Sequence, residues 1–133
     1  MLRATDYKTG RARGAAGMVI GGGKALQPVL YALALEKLFP GSKVEGGRLS
    51  YCTQAGGFSE VTIPLDPHAR AAARQAISIV GQAIDTGFFP AAPAKDECTW
   101  CDYQAICGSH EERRLRAKPK PELAALEQLR GIE

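Results

Sequence analysis

The sequence predicts an α/β domain in which a mixed sheet is flanked by helices, and three observations support this fold class. A strand-like segment, residues 2–8, precedes a segment of helical periodicity at residues 25–39. Two more strand-like segments within residues 47–65 are separated by a glycine-containing turn, as in an antiparallel hairpin. A second helical segment begins at Asp66-Pro67. The order strand, helix, hairpin, helix is typical of an α/β domain with a mixed sheet.

A glycine-rich segment separates the first strand from the first helix. Residues 2–8 partly alternate apolar and polar side chains and end at a Thr-Gly pair, which predicts a strand followed by a turn. Residues 10–24 predict a flexible loop, and Gly21-Gly22-Gly23 lacks the strand-then-helix spacing of a nucleotide-binding fingerprint. The helix over residues 25–39 ends at Pro40-Gly41. Its apolar positions are Leu26, Val29, Leu30, Leu33 and Leu38.

The hairpin and the second helix follow. Strands are predicted at residues 47–53 and 58–65, and Cys52 is expected to be a buried free thiol in the first of them. Asp66-Pro67 combines a side-chain cap with proline at the first helical position, so a helix should begin there and run to about residue 86. Its expected inner face is Ala69, Ala73, Ala76, Ile77, Val80 and Ile84.

The rest of the chain is organised around its cysteines. Residues 88–94 are an apolar, proline-containing connection, and three of the four cysteines lie within residues 98–107. A charged stretch at residues 111–118 and a short helix at residues 121–130 complete the sequence. Because close spacing of thiols favours a metal or cluster site over disulfides in a cytosolic chain, we expect such a site here.

Composition limits the classes of protein that the chain can belong to. With 133 residues, 45% hydrophobic and 23% charged, it is typical of one globular domain. A net charge of +3 permits contact with phosphate but does not by itself predict it. No apolar stretch approaches the roughly 20 residues that a membrane span requires, and no signal-peptide pattern is present. The sequence therefore predicts a cytoplasmic protein that contacts no membrane.

Asp6 and Lys8 are the first candidate site residues. Side chains alternate along a strand, so both should project from one face. A carboxylate beside an ammonium can hold a divalent ion and orient a water molecule next to it. The same pair could equally be a surface ion pair at the end of a strand, which is the commoner interpretation of three residues alone.

The surrounding residues favour the functional interpretation. Asp6-Tyr7-Lys8-Thr9-Gly10, followed by Gln27-Pro28-Val29-Leu30-Tyr31, resembles the pattern of RecB-like PD-(D/E)xK nucleases, in which an aspartate-x-lysine strand precedes a helix with a glutamine-x3-tyrosine motif. The resemblance implies that Asp6 is a ligand of magnesium or manganese and that Lys8 positions or deprotonates the attacking water. It also implies that Gln27 and Tyr31, four residues apart on one helical face, support the site and orient nucleic acid.

The cysteine motif carries a second resemblance. Cys98-x2-Cys101-x5-Cys107 resembles the motif of RecB-like nucleases that hold a four-iron, four-sulfur cluster, such as AddB-type helicase–nucleases and related CRISPR-associated exonucleases. These three residues supply only three of the four ligands. Cys52, a residue outside the chain, or a zinc site of the three cysteines with His110 are the alternatives for the fourth ligand.

Basic residues form two groups in the sequence. Arg11, Arg13 and Lys24, with Arg3 and Lys8, cluster near the predicted active-site end and are candidate DNA contacts of the salt-sensitive, sequence-independent kind. The second group has glutamates on both sides, and mixed charge is typical of a solvated face. Its members are Arg113, Arg114, Arg116, Lys118 and Lys120.

The resemblance implies a restriction-endonuclease-like mixed sheet flanked by helices, N-terminally incomplete because the family's upstream acidic helix and strand do not precede Asp6. We therefore expect residues 1–97 to be a partial nuclease core, residues 98–110 the cysteine motif and residues 111–133 a charged helical tail. The chain is then part of a magnesium- or manganese-dependent deoxyribonuclease of recombination and repair. It should be inactive without the rest of the nuclease domain or a helicase subunit. The alternative is a non-catalytic nucleic-acid-binding or structural module stapled by zinc or an iron–sulfur cluster.

Overall fold

A computed structural model describes residues 1–12, 17–108 and 110–133. The predicted DNA contact Arg13 lies outside these residues. Within them, a three-stranded sheet and its helices form the α/β architecture predicted from the sequence. In chain order, the elements are β1 Leu2–Lys8, α1 Gln27–Leu38, β2 Val44–Tyr51, β3 Glu60–Pro64, α2 Pro67–Thr86, α3 Gln104–Cys107, α4 Glu111–Leu115 and α5 Lys120–Arg130.

The sheet is mixed and has the strand order β1-β2-β3. Strand β1 is parallel to β2, to which it connects through α1, and β2 is antiparallel to β3, which confirms the predicted hairpin. Asp6 lies opposite Leu49 and Lys8 opposite Tyr51. A Cβ atom at Gly47 would lie 2.0 Å from the Pro28 carbonyl oxygen, so the start of α1 packs directly on β2. This close crossing fixes α1 beside the end of β1 that carries Lys8.

The predicted ends of helix α2 agree with the structure because its capping signals are strong. The Asp66 carboxylate accepts a hydrogen bond from the Ala69 backbone N–H at 2.8 Å, and Pro67 occupies the first turn. Gly87 ends the helix in the left-handed conformation, with φ of 64°. The helix therefore spans Pro67–Thr86, as predicted.

The core lies between the sheet, α1 and α2, and its composition differs from the prediction at several positions. The helices meet through small side chains, including Ala32 and Ala73, which are fully buried. Ile77 and Ile84, predicted on the inner face of α2, are 50% and 61% exposed, and Leu38 of α1 is 71% exposed. The alanines of α2 form its contact with α1. The larger apolar side chains of α2, such as Ile77 and Ile84, therefore lie at the edge of that contact and remain exposed.

The segment before α1 also differs from the prediction. Within the predicted flexible loop, Val19 and Ile20 belong to the core, and Ile20 has no exposed surface. Gly21–Gly23 then forms one turn of 3-10 helix. The prediction of a flexible loop was wrong at these two positions, because Val19 and Ile20 anchor the glycine-rich segment in the core. In the part of the chain that the structure describes, no helix has the length and apolar character to span a membrane.

Candidate active site

Asp6 and Lys8 lie on the face of the sheet that α1 covers. The Lys8 ammonium donates a hydrogen bond to Gln27 Oε1 at 2.6 Å, and Gln27 is the first residue of α1. Lys8 Nζ also lies 2.7 Å from Asp6 Oδ2. Tyr7, between them in sequence, points the other way and is 69% exposed. Strand alternation therefore places the carboxylate and the ammonium together, as predicted.

One oxygen of the Asp6 carboxylate lacks a hydrogen-bond donor. Asp6 Oδ2 is buried, and although Lys8 Nζ is close enough for an ion pair, the approach does not have hydrogen-bond geometry. An unsatisfied buried carboxylate oxygen costs free energy in the folded state unless another group or ion meets it. Oxygen is the ligand atom that Mg²⁺ and Mn²⁺ prefer, so Asp6 fits one ligand position for such an ion.

Gln27 joins the strand pair to Tyr31. Its amide nitrogen donates to the Tyr31 hydroxyl oxygen at 3.3 Å while its amide oxygen accepts from Lys8. Tyr31 is 46% exposed, so one face of the ring remains open to solvent. The structure thus brings the four predicted residues Asp6, Lys8, Gln27 and Tyr31 into one connected group at the junction of β1 and α1.

A cavity of about 310 Å³ opens beside this group. Lys8, Arg11 and Lys24 line it, and their three cationic side chains make it suited to an anion. Gln27 completes the polar wall, and buried side chains of β2 contribute apolar surface. Two of the three predicted DNA contacts, Arg11 and Lys24, therefore share one cavity with Lys8.

The end of β1 is held by residues that sequence reasoning did not assign to the site. Thr53 Oγ1 donates to the Thr9 carbonyl at 2.9 Å, and the Cys52 backbone N–H donates to the Lys8 carbonyl at 3.0 Å. No local signal could have identified these contacts, because 44 residues separate the partners. Cys52 is exposed just after β2 rather than buried within a strand, so that prediction was wrong.

The three clustered cysteines line a second and larger cavity, of about 640 Å³. Cys98 follows the first residue of a 3-10 turn, Glu97–Trp100, and Cys107 ends the short helix α3. Neither Cys52 nor His110, the two proposed completions within the chain, lines this cavity. Partial burial raises the pKa of the Cys98 thiol, and a hydrogen bond from the Glu112 backbone opposes this shift without cancelling it.

Glu111 is a buried carboxylate in the wall of the cysteine cavity. It pairs with Lys118 at 2.5 Å and with Arg114 at 2.5 Å, and these bonds hold the pKa of Glu111 below its ordinary value. Lys118 also donates to the carbonyl of Ala91, on the opposite wall. Residues 111–118, whose mixed charge is typical of a solvated face, thus also contain ion pairs around one buried carboxylate in the wall of this cavity.

The cysteines face one cavity but are not assembled as a ligand set. Among the residues that the structure describes, no three His, Cys, Asp or Glu side chains are grouped closely enough to hold a metal ion. The arrangement therefore does not fit a cluster or a zinc ion unless the thiols move closer together. Lys24 Nζ, 4.0 Å from Glu97 Oε1, brings the cysteine segment next to the active-site cavity.

Comparison with known families gives a match over most of the chain. The sequence profile of the PD-(D/E)XK nuclease superfamily matches residues 1–108, which include β1, α1 and the three cysteines. No curated protein and no solved structure matches the chain.

Proposed function

The chain belongs to the PD-(D/E)XK nuclease superfamily, and from this premise we propose that it is the catalytic-lysine part of a RecB-like, metal-dependent deoxyribonuclease of recombination and repair. The observation that carries the proposal is the group formed by Asp6, Lys8 and Gln27. Its carboxylate has one unsatisfied buried oxygen, and its ammonium is fixed by a 2.6 Å hydrogen bond.

The residues have complementary roles in hydrolysis of a phosphodiester. A Mg²⁺ or Mn²⁺ ion, when bound, lowers the pKa of a water ligand and neutralises charge on the phosphate. Asp6 supplies one carboxylate ligand for that ion. Lys8 directs one of its three N–H donors to Gln27 and forms an ion pair with Asp6, which leaves donors for the water or a phosphate oxygen. Gln27 orients Lys8, and Tyr31 fixes the Gln27 amide.

The basic cavity is the proposed path of the DNA backbone. Arg11 and Lys24 are exposed and line the cavity that Lys8 also borders. Phosphate contacts from such side chains position a strand without reading its sequence. Arg13 belongs to the same proposed path on sequence grounds alone.

We also propose that the chain needs another polypeptide segment for cleavage. One carboxylate is a sparse ligand set, since Mg²⁺ sites in enzymes use one or two carboxylates together with waters and substrate phosphates. A second carboxylate, from the rest of a nuclease domain or from a helicase subunit, would complete the site. Under this proposal residues 1–97 are the nuclease core, residues 98–110 the cysteine motif and residues 111–133 an appended helical region.

Cleavage by the natural assembly tests the nuclease proposal. The chain would be purified from its source cells through an affinity tag, so that a completing polypeptide is retained. We expect Asp6→Ala to lower Mg²⁺-dependent DNA cleavage by about 100-fold or more while DNA binding persists. Asp85→Ala, an exposed carboxylate near the end of α2, is the matched control and should cleave normally.

The same experiment separates a second candidate function, a non-catalytic nucleic-acid-binding module. The basic cavity favours this candidate as much as it favours a nuclease. A binding module would retain DNA without metal-dependent cleavage, both before and after the Asp6→Ala change. Undiminished cleavage by a correctly folded Asp6→Ala assembly would remove Asp6 from the proposed mechanism.

For the cysteine cavity, we propose a four-iron, four-sulfur cluster held by Cys98, Cys101 and Cys107, with zinc as the alternative. The support is that all three thiols line one cavity. They do not form a ligand set as they stand, so binding of either group requires the thiols to move closer together. Iron and sulfide analysis with a visible absorption spectrum, on protein purified without oxygen, tests this. Iron, sulfide and broad visible absorption that disappear in Cys101→Ser are expected, whereas Cys52→Ser is the control. One equivalent of zinc in a colourless sample would favour the alternative, and absence of both metals would contradict the proposal.

A further inference from the structure

We propose that residues Leu129–Glu133, here called the tail segment, position the Lys8–Gln27 pair by fixing the glycine turn before α1. The segment lies outside the family match, which ends at residue 108. The proposal rests on the proposed function in so far as Lys8 and Gln27 are site residues. The contacts themselves do not depend on it.

The tail segment pairs with the glycine turn through two backbone hydrogen bonds. The Ile20 N–H donates to the Glu133 carbonyl at 3.1 Å, and the Gly22 N–H donates to the Ile132 carbonyl at 2.8 Å. Donors two residues apart bonding to successive carbonyls hold the two segments side by side. These bonds satisfy backbone groups of a turn that Ile20 anchors in the core.

Two of the three consecutive glycines, Gly22 and Gly23, closely approach the tail segment. Gly21, Gly22 and Gly23 have φ of 53°, 62° and 88°, in the region that favours glycine. A Cβ atom at Gly22 would lie 2.9 Å from the Arg130 carbonyl oxygen, and one at Gly23 would contact the Leu129 side chain at 3.4 Å. The Gly21-Gly22-Gly23 motif therefore allows close approach of the tail segment.

The tail segment is itself anchored on two sides. Leu129 and Ile132 pack against the hydrophobic core, and α5, which leads into the segment, buries Leu123. Arg130 donates a hydrogen bond to the carbonyl of Ala92, in the wall of the cysteine cavity. The segment can therefore act as a fixed support against which the glycine turn is held.

The turn leads directly into the active-site group. The Lys24 N–H donates to the Gly21 carbonyl at 3.2 Å and the Ala25 N–H donates to the Ile20 carbonyl at 3.0 Å, which sets the chain direction into α1. Gln27, two residues after Ala25, bonds Lys8 at 2.6 Å. A displaced glycine turn would shift the start of α1 and lengthen that bond. Leu129–Glu133 are thus positioning residues and do not touch substrate.

The reactivity of the Lys8 amine tests the proposal without DNA or metal. Each lysine's rate of modification by an amine reagent would be measured by mass spectrometry in the wild-type chain and in Gly22→Ala. We expect Lys8 to react several-fold faster in the variant because its bond to Gln27 is weakened. Lys37, an exposed residue of α1, should react at the same rate in the wild-type chain and in Gly22→Ala.

Gly87→Ala is the matched control for backbone strain. Gly87 has φ of 64°, close to the 62° of Gly22, but a Cβ atom there would meet nothing within 4 Å. The Gly87→Ala variant should therefore leave the reactivity of Lys8 unchanged. Deletion of residues 131–133, which removes both carbonyl acceptors of the tail segment, should reproduce the Gly22→Ala effect, with faster amide exchange at Ile20 and Gly22.

An unchanged Lys8 rate in both Gly22→Ala and the deletion variant would overturn the proposal, since the tail would then only cover the turn. An equal increase in Gly87→Ala, or global unfolding of both variants, would also overturn it, because the effect would not be local to the turn. The lysine modification rates do not depend on DNA cleavage. Failure of the nuclease proposal would therefore leave them unchanged and can be told apart from failure of the positioning role.

Discussion

At the scale of single residues, the orientation of the Lys8 side chain is set mainly by the groups that its ammonium contacts. Its ammonium contacts the Gln27 amide oxygen at 2.6 Å and lies 2.7 Å from Asp6 Oδ2, and these two contacts set its direction. A charge-assisted hydrogen bond of this length is stronger than a neutral one. The orientation of Lys8 is therefore the property of the site that a substitution at Gln27 should disturb first.

Gln27→Leu should lower the cleavage rate of the natural assembly about tenfold, the equivalent of one hydrogen bond to a charged group. Tyr31→Phe should have a smaller effect, because the bond it removes is a longer one of 3.3 Å between neutral groups. Initial rates at saturating DNA would measure both. If both substitutions lowered the cleavage rate equally, the role of Gln27 would not be its hydrogen bond to Lys8.

Arg11 and Lys24 should contribute to DNA affinity through charge alone. The double variant Arg11→Ala, Lys24→Ala should reduce the slope of log affinity against log salt by about 1.8 on duplex DNA, or roughly 0.9 for each lost phosphate contact. The control is Arg113→Ala, Arg116→Ala, which removes two exposed cations from around α4. If the control lowers the slope instead, the DNA path lies over α4 and not over the basic cavity.

At the scale of secondary-structure elements, helix α2 illustrates what local sequence determines. Asp66 and Pro67 define its first turn, and the Asp66 carboxylate bonds the Ala69 N–H at 2.8 Å. Asp66→Ala should lower the free energy of unfolding by about 1 kcal/mol. Asp85→Ala, near the other end of the helix, should be neutral or slightly stabilising because a negative charge there opposes the helix dipole. Urea denaturation would measure both, and equal losses would contradict the capping role.

Helices α1 and α2 are also joined by a two-fold hydrogen-bonded ion pair. Arg70 donates to both oxygens of the Glu36 carboxylate, at 2.8 Å and 2.5 Å, and this pair holds the pKa of Glu36 below its ordinary value of 4.5. A lowered pKa in the folded state gives stability that is present above pH 4.5 and is lost as the pH falls through the folded value.

Arg70→Met should therefore lower Tm by about a few degrees at pH 7, and the difference from wild type should shrink below pH 4.5. Thermal melts followed by circular dichroism across this range would measure it. Arg74→Met, an exposed residue of the same helix, is the control. A difference that stays constant down to pH 2.5 would show that the ion pair does not contribute through Glu36.

The elements also show where prediction from sequence fails. Strand β1 and helix α2 were predicted with their observed bounds because alternation and capping are local signals. The burial of Ile20 and the exposure of Ile77 depend on which surfaces meet in three dimensions, and periodicity does not encode that. The contact of Thr53 with Thr9, across 44 residues, is invisible for the same reason.

At the scale of the whole molecule, the two cavities share their supports. Lys24 lines the active-site cavity and lies 4.0 Å from Glu97, which lines the cysteine cavity. Arg130 bonds Ala92 of the cysteine cavity while its neighbours hold the glycine turn that leads to Gln27. The sequence motifs predicted two separate candidate sites and did not predict the contacts between them.

The metal preference of an Asp6→Cys variant in the natural assembly would show most directly whether Asp6 is a metal ligand. A thiolate binds softer ions better than it binds Mg²⁺. If Asp6 is a metal ligand, Asp6→Cys should lose Mg²⁺-dependent cleavage and regain part of it with Mn²⁺ or Cd²⁺, whereas Asp6→Ala should not recover with either ion. Equal activity of the two variants with every ion would contradict a metal-ligating role of Asp6, and with it the proposed active site.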